Sequence, residues 1–164
     1  QGTLRLGPGE ILNLKAEPFL RETIQLLVIR MSQGKVNSDS LHFERLEANF
    51  NFRNGLLNIH SFELVSPELA FLRGKGTCDQ SGRIFFEIEF HPRPILLEKT
   101  SESIREAFNE LGDEPMRLKV TGTRSEPAVE YRATEALLKL LKLEDKEPTP
   151  APPVAPALPP FELN

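Results

Sequence analysis

The stretch FNFRNGLLNIHSFELVSPELAFLRGKGTCDQSGRIFFEIEF, Phe50–Phe90, decides the fold. It is cut by Asn54-Gly55, by Ser66-Pro67 and by Asp79-Gln80-Ser81-Gly82, and such short turn-rich gaps make antiparallel neighbours of the segments between them. Asn and Gly most readily take the positive φ angles of a tight type I′ hairpin, so 54–55 is the firmest local signal. Extended upstream, the pattern gives strands over Leu41–Arg53, Leu56–Val65, Leu69–Cys78 and Arg83–Phe90. Alternation places Leu46, Ala48, Phe50 and Phe52 on one face of the first, and Ile84, Phe86, Ile88 and Phe90 on one face of the last. The opposite faces read Glu47, Asn49, Asn51, Arg53 and Phe85, Glu87, Glu89, mostly polar. The phase slips near Glu44-Arg45 and again between Ile59 and Phe62, which implies bulges or strong twist. Gly74 and Gly76 share a face and leave room there for bending or for another backbone.

Working outward, Thr3–Leu6 and Glu10–Lys15 alternate around Gly7-Pro8-Gly9, a strand, turn and strand at a sheet edge. From Glu17 the period changes. Leu20, Ile24, Leu27, Val28 and Met31 form one helical stripe, with Pro18 suited to a first turn and Gly34 to a stop. His91-Pro92-Arg93-Pro94 ends the sheet run, and Ser101–Leu111 is a helix with Ile104, Phe108 and Leu111 on one face, closed by Gly112. Met116, Leu118 and Val120 alternate again, Gly122–Pro127 reads as a turn into Ala128–Tyr131, and Thr134–Leu143 groups Leu137, Leu140 and Leu141 as a short helix. Seven of the fourteen prolines fall between Pro148 and Pro160. The expectation is a mainly β (α+β) module over residues 1–146, with helices near 17–33, 101–111 and 134–143. Its curled antiparallel sheet has an open, groove-like apolar face, and a disordered, polyproline-like tail follows over 147–164.

With 39% hydrophobic and 27% charged residues the chain is globular in composition, and Phe supplies 11 of its 12 aromatics. A formal charge of −4 with dispersed Lys and Arg gives no footprint for nucleic acid. His42, His60 and His91 could pair with Glu44, Glu63 and Glu89 as acid and base, but no nucleophile motif or metal-ligand spacing accompanies them. Cys78 stands alone, with no basic neighbour closer than Lys75 to depress its thiol. No catalytic residue, metal or cofactor is expected. No run of about 18 apolar residues and no leader is present, so any membrane anchor is expected upstream.

Phe43-Glu44-Arg45-Leu46-Glu47-Ala48, Phe50-Asn51-Phe52-Arg53-Asn54-Gly55, Phe62-Glu63-Leu64-Val65-Ser66-Pro67 and Gly74-Lys75-Gly76 occur in that order and are followed by a proline-led closing strand, Pro115–Pro127. The order resembles that of the C-terminal module of bacterial AsmA-like envelope proteins. The resemblance runs from about Glu17 to Leu143; Asp79-Gln80-Ser81-Gly82 and the proline tail depart from it. It implies an elongated, curled sheet whose concave apolar face carries acyl chains between the inner and outer membranes. It also implies a place in the periplasm, tied to the inner membrane through an upstream segment.

On that reading Leu46, Ala48, Phe50, Phe52, Ile84, Phe86, Ile88, Phe90, Met116, Leu118 and Val120 are the candidate lipid-groove residues, and phospholipid or another acyl lipid is the partner. Burying an acyl chain stabilises by about 0.8 kcal/mol per CH₂, so no reactive group is required. The same face can instead be closed by the helices at 17–33 and 101–111, as in any α+β core. A second function then applies: a scaffold or cap that binds an envelope protein through a sheet edge or the Pro-rich tail.

Overall fold

The computed structural model describes residues 1–12, 18–32, 40–112 and 114–141. Its elements in chain order begin with β1 (Gly2–Leu6), β2 (Gly9–Ile11) and α1, which runs from Pro18–Leu20 through a π-helical stretch, Arg21–Gln25, to Leu26–Ser32. Then come β3 (Leu41–Phe43), β4 (Arg45–Arg53), β5 (Leu56–Val65), β6 (Ala70–Asp79) and β7 (Ile84–Pro92). Two helices, α2 (Pro94–Glu98) and α3 (Glu102–Leu111), precede β8 (Met116–Gly122), β9 (Pro127–Arg132) and α4 (Glu135–Leu140). Among the described residues seven strands form one antiparallel sheet in the order β1-β4-β5-β6-β7-β8-β9, and β2 pairs β3 separately. The sheet is open, with β1 and β9 at its edges.

The register brings the apolar positions into rows that cross the sheet. Leu6, Leu46, Leu64, Leu72, Phe90 and Met116 make one row. Leu4, Ala48, Phe62, Gly74, Ile88, Leu118 and Tyr131 make the next, and Gly2, Phe50, Ile59, Gly76, Phe86, Val120 and Val129 a third. Paired residues in a sheet share a face, so all three rows lie on one side. The four helices close over much of it: Leu27, Val28, Met31, Leu96, Ile104, Ala107, Phe108, Leu137 and Leu141 join the strand residues in one core.

Turns and caps follow local chemistry. Asn54 and Gly55 both have positive φ, 51° and 75°, as the hairpin requires. The Ser101 and Thr134 hydroxyls accept from Ile104 N and Leu137 N and so cap α3 and α4. Asp79 organises the β6–β7 turn, accepting from Ser81 Oγ at 2.6 Å, Arg83 N at 2.9 Å and Arg83 Nε at 2.7 Å. The Ser81 hydrogen bond, followed by those from Arg83, holds its carboxyl near pKa 2.

The slip expected between Ile59 and Phe62 is a β-bulge: Asn49 pairs Ser61 while Phe50 pairs Ile59, leaving His60 as the extra residue. The slip at Glu44-Arg45 is a change of sheet, since β3 leaves for β2 and β4 enters the main sheet. Likewise β1 and β2 do not pair with each other; Gly7-Pro8 carries the chain from one sheet to the other. Two helical details differ from the expectation. Leu140 is exposed, because α4 and its C-cap turn Leu137, Leu138 and Leu141 toward the core instead. In α1 the π-helical stretch interrupts the 3.6 period, and Thr23 is buried, its hydroxyl donating to Phe19 O at 2.6 Å. The Ile24 side chain, the ends of the segments expected to reach Lys15, Glu17, Gly34 and Leu143, and the proline tail lie outside the described residues.

Glycines and phenylalanines interlock across strands. A Cβ on Gly2 would lie 2.9 Å from the Phe50 ring and one on Gly9 would lie 2.8 Å from the Phe43 ring. Gly74 sits under the Phe62 ring and against Glu87 O, and Gly76 under the Phe86 ring and against Phe85 O. The room expected above Gly74 and Gly76 is therefore filled by aromatic rings and neighbouring backbone.

Candidate functional site: two faces of one sheet

The apolar face divides into a covered and an uncovered half. Ile84, Ile88, Phe90, Met116, Leu118 and Val120 are buried core residues under the helices. Phe86 is partly buried, its ring 5.1 Å from that of Phe19 on α1, and Leu46 packs against the same core. Toward β1 the cover ends. Ala48 and Phe50 are half-buried, whereas Phe52, Leu4 and Leu6 are 63%, 42% and 43% exposed. Leu57 and Ile59, beside Phe52 and Phe50 in the register, continue this surface onto β5. Of the eleven groove candidates, six are thus closed under helices, and Ala48, Phe50 and Phe52 belong to an apolar surface that ends at β1, the edge strand among the described residues. Leu4, Leu6, Leu57 and Ile59 extend it. Sequence reading missed these four because cross-strand register, which alone shows what lies beside Phe50, is not written in any one strand.

Tyr131 ties the covered half together. It stands on β9, and its hydroxyl donates to Glu22 O of α1 at 2.8 Å. Burial, more than any neighbouring charge, pushes its pKa up to about 12. Because the folded value is raised above the ordinary 10, the neutral phenol stabilises the fold fully below pH 10, and that contribution is lost as pH rises toward 12. Tyr131 is the chain's one tyrosine, so absorbance at 295 nm follows it alone. The expected titration shows little phenolate at pH 10.5 in the folded protein and an ordinary midpoint near 10 in urea. An ordinary midpoint without urea would mean that α1 does not cover β9.

The opposite face is charged and hollow. Arg73, Glu89, Arg117 and Arg132 lie in one cross-strand row, and Lys75, Glu87, Lys119 and Glu130 in the next. All of these but Glu130 line a hollow of about 560 Å³ that reaches from the His60 bulge on β5 to Arg132 on β9. This concavity lies on the polar side of the sheet. Arg73 bonds Glu89 at 2.5 Å and Lys75 meets Glu87 at 3.0 Å. The Arg73 hydrogen bond, with the nearby positive charges, lowers the Glu89 pKa.

The remaining candidates stay apart. His42 faces Glu10 at 3.4 Å across β2 and β3, His60 is exposed at the bulge, and the His91 ring lies 5.7 Å from that of Phe71. Burial, then Arg73, lowers the His91 pKa. Ser66 Oγ, His91 Nε2 and Arg93 Nε, near the β5–β6 turn and the end of β7, are buried without hydrogen-bond partners. Cys78 is half-buried, with Sγ 3.7 Å from Asp79 O. Among the described residues no group of three His, Cys, Asp or Glu is placed to hold a metal ion, and no helix is long and apolar enough to cross a membrane. No protein-family model, curated protein or solved structure matches the chain.

Proposed function

We propose that this chain is a non-enzymatic sheet module of the AsmA-like kind that shelters the acyl part of a phospholipid or another acyl lipid. It would work in the periplasm of a bacterial envelope, tied to the inner membrane by a segment upstream, in lipid transport or outer-membrane biogenesis. The observation that carries the reading is the uncovered apolar half-face, where Leu4, Phe50, Phe52, Leu57 and Ile59 lie side by side beyond the helical cover. Leu4 and Phe52 are exposed and Phe50, Leu57 and Ile59 half-buried, and a contiguous apolar patch of this kind marks a binding surface more often than a solvated one. Shelter on this half needs no opening of the core, because the helices already stop short of it.

Phe52 makes the test clean: at 63% exposure it contributes little to the core, so Phe52→Glu leaves the fold intact while placing a charge in the path of an acyl chain. Native mass spectrometry with lipid extraction, on protein purified from an envelope preparation, is expected to find phospholipid on the wild type. Roughly tenfold less is expected on Phe52→Glu, from a penalty of about 1.4 kcal/mol. Glu106→Gln, on the exposed side of α3, should match the wild type. Equal lipid on all three proteins would remove the half-face from consideration.

The outer edge of β1, unpaired among the described residues, favours a second reading, a scaffold or cap that pairs with an envelope protein. Residues Gly2–Leu6 contain no proline, bulge or inward-facing charge, the usual devices that keep an edge from pairing. A folded, lipid-free wild type would leave this reading in place of the first.

A further inference from the structure

We propose that the charged hollow is a binding site for a small anion bearing a phosphoryl group, held by Arg117, Lys119 and Arg132. The site lies on the sheet face opposite the apolar half-face and stands independently of the lipid reading. Its argument begins with a mismatch in the cross-strand register. Arg117 on β8 lies directly opposite Arg132 on β9, and like charges so placed repel. The carboxylates lining the hollow do not cancel this. Glu63 is met by Arg45 at 3.5 Å, Glu87 by Lys75 and Glu89 by Arg73, leaving Arg117 a contact of 3.8 Å to Glu89. Arg132 uses its Nε on Glu130 of its own strand, at 2.8 Å. Lys119 lies over the Phe85 ring at 5.9 Å and has no carboxylate within 4 Å among the described residues.

Within a chain of net charge −4, three cations therefore line one side of a concave surface, Lys119 with no carboxylate within 4 Å among the described residues and Arg117 with only a 3.8 Å share of a carboxylate that Arg73 already holds. Two guanidinium forks and an ammonium match a phosphoryl dianion in charge and in donor geometry better than they match a single carboxylate. A hollow of about 560 Å³ has room for a small phosphoester around that group. The phosphoryl group could belong to a soluble ester or to a lipid headgroup, and the chemistry of recognition is the same.

The test is a titration of the folded protein with inorganic phosphate at fixed ionic strength, followed by amide shifts in ¹H–¹⁵N spectra. Saturable shifts are expected over residues 117–119 and 130–132, with a dissociation constant below roughly 1 mM at low salt. Arg117→Gln and Arg132→Gln should each weaken binding at least fivefold. Arg53→Gln, a cation outside the hollow, should not. Without phosphate, Arg132→Gln should raise the melting midpoint by roughly 1–3 °C, because it removes one of two opposed charges. Shifts that never saturate, or that weaken equally in Arg53→Gln, would overturn the proposal. Sedimentation with phosphatidate-containing vesicles assigns the source: retention lost in both hollow variants points to a headgroup, and phosphate binding without retention to a soluble ester.

Discussion

Ile88→Glu is expected to yield no folded protein at 25 °C. Ile88 is 4% exposed, between Gly74 on β6 and Leu118 on β8, within the core closed by the helices. A carboxylate there has no cationic partner, and an uncompensated buried charge costs several kcal/mol. The lost isoleucine packing adds about 2–5 kcal/mol. Domains of this size are stable by about 5–15 kcal/mol in total, so the sum removes most or all of the margin. Loss of the cooperative urea transition in circular dichroism would be the readout. The contrast with Phe52→Glu, three strands away on the same face, is informative in itself. If Ile88→Glu instead folded with a wild-type midpoint, the helices would not be covering this half, and the whole apolar face would be available to a ligand.

Gly74→Ala is the second large effect. The added Cβ would collide with the carbonyl oxygen of Glu87 on β7 and would also lie 2.8 Å from the Phe62 ring. A ring can swing away, but the carbonyl belongs to a paired strand, and moving it breaks the β6–β7 register on both sides. Overpacking of this kind costs about 1–3 kcal/mol, and the backbone contact puts this case at the upper end. Equilibrium denaturation should show a midpoint lowered by about 1–2 M urea with an unchanged slope. A midpoint within error of the wild type would mean that β6 and β7 are not packed so closely.

Much of the architecture was legible because period-two alternation is a local property. Phe50-Asn51-Phe52 and Phe86-Glu87-Ile88 declare their faces without reference to anything distant, and Asn54-Gly55 names its own turn. The bulge at His60 was legible for the same reason, as a break in phase within one strand. What escaped notice depends on partners. Leu41 and Phe43 look like the start of β4, and only their pairing with Gly9–Ile11 shows that they belong to another sheet. His91-Pro92-Arg93-Pro94 reads only as the end of the sheet run, yet Pro94 suits the first turn of α2 and Leu96 is fully buried. Leu140 stands three residues from Leu137 and beside Leu141, so helical spacing alone admits it to the stripe; the orientation of a six-residue helix against the sheet excludes it.

The candidate sites divide along the same line. Apolar residues were identified by face, but whether helices cover them is a tertiary fact, and it separates Ile88 from Phe52. The hollow was wholly illegible, because the opposition of Arg117 to Arg132 exists only once β8 and β9 are in register.

The phenylalanine and glycine pairs carry a consequence for how this sequence can drift. At Gly2 and Gly9 the space is taken by a ring alone, Phe50 and Phe43 respectively, so a larger residue at the glycine is compatible with a smaller one at the ring. Those two pairs should covary among homologues. At Gly74 and Gly76 a neighbouring carbonyl stands beside the ring, and no change in Phe62 or Phe86 makes room. Glycine there should stay invariant even where the ring opposite is replaced, so a lineage can remodel β1 and the separate β2–β3 pair far more freely than the centre of the main sheet.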